Sequence, residues 1–156
     1  MTDADNLTKL SVGDVAPDFT AKIQSGEEIT LSKLVESGKK VLLIFYPGDD
    51  TPGCTKQLCG VRDIFSEYEK LGVRVLCVNH AVAESHQKFI NKYSYKFDII
   101  VDENKDIITK YGALKKFFRN LNVKRGVFLI GQDCKIEYIF WGQHNNTKVL
   151  ETLSTL

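Results

Sequence analysis

No stretch of this chain approaches the roughly 20 consecutive apolar residues that a helix needs to cross a bilayer. It has no surplus of either charge: 21 basic residues against 20 acidic ones leave a formal net charge of +1. No long basic cluster breaks that balance, so nothing reads as a nucleic-acid surface. The longest basic feature, Lys115-Lys116 with Arg119 and Lys124 downstream, reads as a solvated face. Arg125 is set apart from it below. The opening residues Met1-Thr2-Asp3-Ala4-Asp5-Asn6 lack the basic and apolar regions of a signal peptide and the arginines of a transit peptide, although a leader already removed would leave no trace. Internal repeats and low-complexity segments are missing, and so is a Cys-x-x-Cys pair. The expectation is a soluble protein of a reducing compartment, the cytoplasm by default, with no membrane and no nucleic-acid partner.

What remains is enough for a folded domain. The chain has 156 residues, 43% of them hydrophobic. That suits one domain over residues 1–156 built on one core. Residues 18–23 and 27–31 flank Ser25-Gly26 as a hairpin. A short helix is expected at 32–37. The unbroken apolar run 41–46 reads as a strand covered on both faces. Residues 54–71 read as the principal helix, since Leu58, Val61, Ile64, Phe65, Tyr68 and Leu71 recur at spacings of three and four. Strands at 73–79 and 99–101 alternate with helices at 84–93 and 106–111. Strands at 126–130 and 136–140 follow, joined by Gly131-Gln132-Asp133, and 147–153 suits a last helix. Such an order predicts an α/β layer fold with a mixed central sheet flanked by helices. Ligands in these folds collect beyond the C-terminal ends of the strands. No exposed apolar stripe demands a partner, so a monomer is expected.

Cys54 lies beyond such an end, in Pro47-Gly48-Asp49-Asp50-Thr51-Pro52-Gly53-Cys54. A loop followed by a helix puts this thiol in a first helical turn, where unpaired N–H groups and a partial positive charge favour thiolate. Thiolate is the reactive form. A thiol at such a junction is poorly placed for core packing. Cys59 follows five residues later. On one regular helix the two Cα atoms would be ~7.5 Å apart along the axis and ~140° apart around it, or roughly 8–9 Å in space. A disulfide needs them within ~7 Å. The pair therefore bonds only if the helix opens, and Gly60 makes the helix less favourable there by ~1 kcal/mol relative to Ala. The alternative is that Cys59 is a small buried hydrophobe.

The segment from Phe45-Tyr46-Pro47 through Thr51-Pro52-Gly53-Cys54 to Gln57-Leu58-Cys59-Gly60-Val61-Arg62-Asp63 resembles the active-site segment of peroxiredoxins. It holds their Pro-x-x-x-Thr-x-x-Cys pattern. The second cysteine five residues on is similar to the Q-type, or bacterioferritin comigratory protein, subgroup. Gly13-Asp14-Val15-Ala16-Pro17-Asp18-Phe19, Glu84-Ser85-His86-Gln87-Lys88-Phe89 and Arg125-Gly126-Val127-Phe128-Leu129-Ile130 extend the likeness over nearly the whole chain. The resemblance implies a thioredoxin-like fold and an antioxidant thiol peroxidase of the atypical two-cysteine kind. Cys54 would be the peroxidatic thiol and Cys59 the resolving thiol. Thr51 would orient the peroxide, Arg125 would hold peroxide and thiolate by its charge, and Pro47 would shield the pocket from water. Hydrogen peroxide and organic hydroperoxides would be the substrates, and thioredoxin or a similar dithiol protein the reductant. No cofactor and no metal are implied. Two stretches depart from the common pattern: Asn79-His80-Ala81 stands where Ser-x-Asp is usual, and Trp141-Gly142-Gln143-His144-Asn145-Asn146 follows no familiar wording.

Other residues invite other readings. Cys77 lies inside a valine-rich strand and reads as an inert core thiol. Cys134 sits at a turn and reads as a passive one. His80 and His86 match no tight zinc spacing with Cys54 and Cys59. Asp49-Asp50 read as solvated turn residues. The competing function is a dithiol–disulfide oxidoreductase acting on protein disulfides, which usually carries the Cys-x-x-Cys this chain lacks.

Overall fold

The computed structural model describes residues 9–143 and 145–155; the first eight residues of the lead-in, His144 and Leu156 lie outside the described residues. The chain runs β1 (Thr20–Lys22), β2 (Glu28–Thr30), α1 (Leu31–Glu36), β3 (Lys40–Phe45), α2 (Pro52–Asp63), α3 (Phe65–Lys70), β4 (Val73–Asn79) and α4 (Ala83–Tyr93). It continues through β5 (Asp98–Val101), α5 (Asp106–Lys110), β6 (Leu114–Phe117), β7 (Asn120–Val123), β8 (Gly126–Ile130), β9 (Ile136–Trp141) and α6 (Asn146–Thr155).

Five strands form the central sheet in the order β5-β4-β3-β8-β9. β3 and β5 both pair parallel with β4, whereas β8 pairs antiparallel with both β3 and β9. This is the mixed sheet flanked by helices that the sequence predicts, in a thioredoxin-like arrangement. The alternation of strand side chains divides the core. Val41, Leu43 and Phe45 of β3 join Leu31 and Val35 of α1 and Ile107 and Ile108 of α5 on one face. Leu42, Ile44 and Tyr46 join Cys54, Leu58 and Val61 of α2, Phe89 of α4 and Val149 of α6 on the other. Both faces are dry, which is why β3 reads as an unbroken apolar run rather than an alternating one.

One expectation needs correction. The helix predicted over 54–71 is two helices, because Ile64 leaves helical geometry (φ −117°, ψ 17°) between α2 and α3. A β-branched residue gives up little by doing so. Beyond the break Tyr68 is buried, and its hydroxyl donates to Asn146 Oδ1 at 2.8 Å. The basic stretch from Lys115 is solvated as expected, with Lys115, Lys116, Arg119 and Lys124 exposed, but it also holds an element its pattern does not announce. It forms an antiparallel hairpin, β6 with β7, set apart from the main sheet.

Candidate active site

Antiparallel pairing of β8 with β3 brings two distant segments to one end of the sheet. Gly126 pairs with Phe45, so Arg125 comes level with the loop that leaves β3. Alternation along β8 puts Val127 and Leu129 in the same cluster as Cys54 and assigns Arg125 to that face. The Arg125 guanidinium packs on Gly53: a Cβ added there would lie 2.7 Å from Nη2. Glycine at 53 is thus a space requirement, for it lets the cation rest beside the residue that precedes Cys54. Arg125 Nη1 donates to Gln57 Oε1 at 2.8 Å, which fixes the guanidinium from the α2 side. Gln57 lies three residues after Cys54, on the same flank of the helix.

Cys54 is the third residue of α2 and is fully buried. Thr51 is the N-cap, and Pro52 fits the first turn, where its missing N–H is not needed. The Thr51 side chain makes no cap bond; its hydroxyl donates to Gly48 O at 3.3 Å. First-turn N–H groups therefore stay open around Cys54. Pro47 is half-buried at the exit of β3, and Thr51 is exposed. Pro47, Thr51, Cys54 and Arg125 thus lie around one loop-to-helix junction. Cys59 is not drawn into it. It is half-buried, and its sulfur lies 3.4 Å from the Tyr95 hydroxyl. All four cysteines are unpaired.

The loop acids are the main surprise. Asp49 is not a solvated turn residue, and Asp50, though exposed as expected, is paired. The Asp49 carboxylate accepts from Tyr46 Oη at 2.5 Å, from Ser85 Oγ at 2.6 Å and from His86 Nδ1 at 2.7 Å. A carboxylate only accepts, so His86 carries its proton on Nδ1. Burial alone would raise the Asp49 pKa, but the bonds from His86, Ser85 and Tyr46 overcome it and hold the carboxyl below its ordinary range. Burial, helped by the charge of Asp49, pushes the Tyr46 hydroxyl well above its ordinary value, so it remains a donor. Asp50, at φ 55°, pairs with Lys92 Nζ and Tyr93 Oη, both at 2.7 Å. Those two bonds lower its pKa. Both acids tie the loop to α4.

The unusual Asn79-His80-Ala81 stretch also serves this junction. Asn79 is buried, donates from Nδ2 to Tyr46 O at 2.9 Å and accepts from Ala81 N at 2.8 Å. It fastens the end of β3 to the turn after β4. His80 has a lowered pKa, chiefly through burial, with Lys105 and His86 adding to it. Among the described residues no three His, Cys, Asp or Glu side chains are grouped to hold a metal. No described helix is long and apolar enough to cross a membrane. Burial raises the Cys77 thiol well above its ordinary pKa, with Asp49 and Asp98 adding. Cys134, at φ 64° in the β8–β9 turn, is also raised, by burial first.

Sequence reasoning missed Gln57, Asp49, Asp50 and Tyr95 as parts of this region. Only Gln57 carried a readable signal, its spacing of three from Cys54. The others are defined by partners 36 to 43 residues away in the chain.

A sequence model of the AhpC/TSA family matches residues 12–139. The chain is 37% identical over 149 residues to a chloroplastic peroxiredoxin Q of Triticum aestivum, covering 95% of this chain and 67% of the wheat protein. It is 38% identical over 154 residues to a Helicobacter pylori protein named as a putative peroxiredoxin bcp, covering 94% of this chain and all of that one. Among solved structures, the Mycobacterium tuberculosis peroxidoxin BcpB superposes with a TM-score of 0.87 at 26% identity, over 95% of this chain and 99% of that one. A cysteine-to-serine mutant of PrxQ from Xylella fastidiosa shares the fold with a TM-score of 0.83 at 21% identity, over 94% and 95% of the two chains. Likeness in sequence and in fold thus runs over nearly the whole chain, cysteine junction and arginine strand included, and the chain belongs to the AhpC/TSA family, among the peroxiredoxins of the Q and bcp kind.

Proposed function

We propose that this peroxiredoxin reduces hydrogen peroxide and organic hydroperoxides with Cys54 as the attacking thiol and Cys59 as the resolving one. The observation that carries the reading is the Arg125 guanidinium packed on Gly53 beside a Cys54 buried in the first turn of α2. The Cys54 thiolate attacks one peroxide oxygen, an S–O bond forms and the O–O bond breaks. Negative charge then grows on the departing oxygen. Fixed donors aimed there stabilise the transition state. Arg125 has the permanent charge and the paired donors for that task, and Gln57 keeps it oriented. Thr51 and the open N–H groups of the first turn add to it, while Pro47 shields the junction. The oxygen leaves as water or alcohol after taking a proton. Cys54 is left as a sulfenic acid.

Cys59 then condenses with that sulfenic acid: an S–S bond forms, the S–O bond breaks and water departs. A thioredoxin-like dithiol protein reduces the disulfide by exchange and becomes a disulfide itself. We read the enzyme as one domain, since the strands of the main sheet and their covering helices share two clusters on its faces. We take it to work as a monomer in a reducing cytoplasm, where cysteines are kept for chemistry rather than for structural disulfides.

Mass spectrometry after one equivalent of hydrogen peroxide tests the reading. Wild type should lose two hydrogens, with 54 linked to 59. Cys59→Ser should instead collect oxygen on Cys54. Oxygen arriving first on Cys77 or Cys134 would overturn the assignment, and no rapid thiol loss would favour the protein-disulfide oxidoreductase.

A further inference from the structure

Three contacts fasten α2 to the C-terminal end of α4 and the residues just past it. Ahead of the helix, Asp50 binds Lys92 and Tyr93. In its last turn, Arg62 Nη1 donates to Tyr93 O at 3.0 Å. Between them, Cys59 Sγ meets Tyr95 Oη at 3.4 Å.

The middle contact differs from the other two. Its tyrosine is fastened on several sides. Tyr95 N donates to Ile90 O at 3.1 Å, and the ring stacks on Tyr93 and on Phe97, with centroids 5.7 and 4.8 Å away. Phe89 meets its edge at 5.1 Å. The hydroxyl is thus anchored independently of the sulfur. The sulfur has to move, because two cysteines five apart on an intact helix stand roughly 8–9 Å apart at Cα and a disulfide needs less than ~7 Å. The stretch that must unwind lies between Cys54 and Cys59. The Asp50 and Arg62 contacts flank that stretch and can persist through the change. Only the Tyr95 contact belongs to a residue that takes part in the new bond.

We propose that Tyr95 is a positioning residue for the resolving step, a catch whose hydroxyl–sulfur bond keeps α2 helical until it releases Cys59 to form the disulfide. The inference rests on the assignment of Cys59 as the resolving thiol. Its consequence is kinetic. While the catch holds, Cys54 stays a sulfenic acid, and a second peroxide can carry it on to the sulfinic acid, with loss of another O–O bond. Tyr95 therefore sets how oxidised Cys54 divides between disulfide and overoxidation.

Tyr95→Phe removes the hydroxyl and keeps the stacked ring. A neutral hydrogen bond of ordinary net strength corresponds to roughly a threefold to tenfold rate change. The test is quench-flow with mass-spectrometric readout, after one equivalent of hydrogen peroxide and then during turnover with dithiothreitol over a range of peroxide concentrations. In Tyr95→Phe the 54–59 disulfide should form about threefold to tenfold faster than in wild type. The peroxide concentration that overoxidises half of Cys54 should rise by a similar factor. Consumption of the first peroxide should keep its rate. Lys92→Met breaks the ion pair to Asp50 ahead of the unwinding stretch and should leave the resolving rate unchanged. Unchanged or slower resolution in Tyr95→Phe would overturn the proposal, and so would an equal acceleration in Lys92→Met. If wild type itself forms no 54–59 disulfide, the assignment of Cys59 fails. If wild type forms it and Tyr95→Phe is no faster, the catch alone fails.

Discussion

Replacing Asp49 removes an acceptor that three side chains share. Tyr46 and His86 are fully buried, so water cannot take the place of the carboxylate; Ser85 is half-buried and can find it. A bond to a charged acceptor contributes about 1.5–3 kcal/mol net, and a stranded buried donor costs about 1–3 kcal/mol. With two buried donors stranded, Asp49→Ala should cost about 3–5 kcal/mol. Asp49→Asn keeps the shape. Its carbonyl oxygen can serve Ser85 and His86, and its amide can donate to a reoriented Tyr46 hydroxyl. Mostly the charge is lost, at about 1–2 kcal/mol. For a chain of this length each kcal/mol lowers Tm by roughly 2–4 °C. The Ala variant should therefore melt about 10 °C below wild type and the Asn variant about 4 °C below. Acid should close the gap between wild type and Asp49→Asn. The hydrogen bonds hold the Asp49 carboxyl below its ordinary range in the folded state. The unfolded chain thus takes up the proton first on acidification. The stabilisation is complete above the ordinary carboxyl pKa near ~4 and is lost as pH falls through and below it. Urea unfolding followed by far-ultraviolet circular dichroism at pH 7, 5 and 3 measures both effects. An Ala variant within about 1 kcal/mol of wild type, or a gap between wild type and Asp49→Asn that stays constant down to pH 3, would refute the reasoning.

Two glycines give further predictions. Gly53→Ala puts a methyl 2.7 Å from Arg125 Nη2; the guanidinium should shift, and the second-order rate with peroxide should fall by about tenfold, with fold stability within about 1 kcal/mol of wild type, as stopped-flow and thermal melts would read. Gly126→Ala places a methyl 2.5 Å from the Trp141 ring, which rests edge-on to Phe128 and under Lys124 Nζ. It should cost about 1–3 kcal/mol through overpacking and change the Trp141 fluorescence, whereas an unchanged melt would show that the ring yields freely.

The architecture was readable wherever burial wrote a pattern. β3 is covered on both faces and reads as an apolar run, and β4 was legible to the residue. The hairpin β6–β7 was not, because most of its side chains face solvent and leave no alternation. The break at Ile64 was hidden because spacings of three and four continue across it, so periodicity cannot distinguish one helix from two in the same phase. Within the site, Cys54 was legible from its place between loop and helix, whereas Arg125 was singled out only through the resemblance of its strand to that of the peroxiredoxins. Asp49 was misread, since adjacent loop acids look the same whether solvated or clamped. Only the return of α4 to the loop, more than thirty residues later, decides between them.

α2 faces opposing demands under the proposed chemistry. Its first turn must stay formed so that Cys54, the open N–H groups and Arg125 keep their geometry while peroxide reacts. The same turns must then open for Cys59. A helix uniformly stabilised along its length would serve the first demand and obstruct the second. The observed interactions are uneven in a way that serves both. The charged contacts to α4 lie outside the cysteines: Asp49 and Asp50 before them, Arg62 after them. Between the cysteines the Arg125–Gln57 bond belongs to the peroxide-reacting geometry, and past it come Gly60 beside Cys59 and the thiol–hydroxyl contact to Tyr95. Pro52, at the N-terminal edge, cannot donate a backbone bond and so loses none when the first turn opens. Removing Asp49 should therefore weaken the fold with little effect on the division between disulfide and overoxidation, whereas removing the Tyr95 hydroxyl should shift that division and leave the fold nearly intact. Stability and resolution would then respond to different residues of one small region. If the two variants instead move both quantities together, the junction is one cooperative unit, and the separation between clamp and catch is wrong.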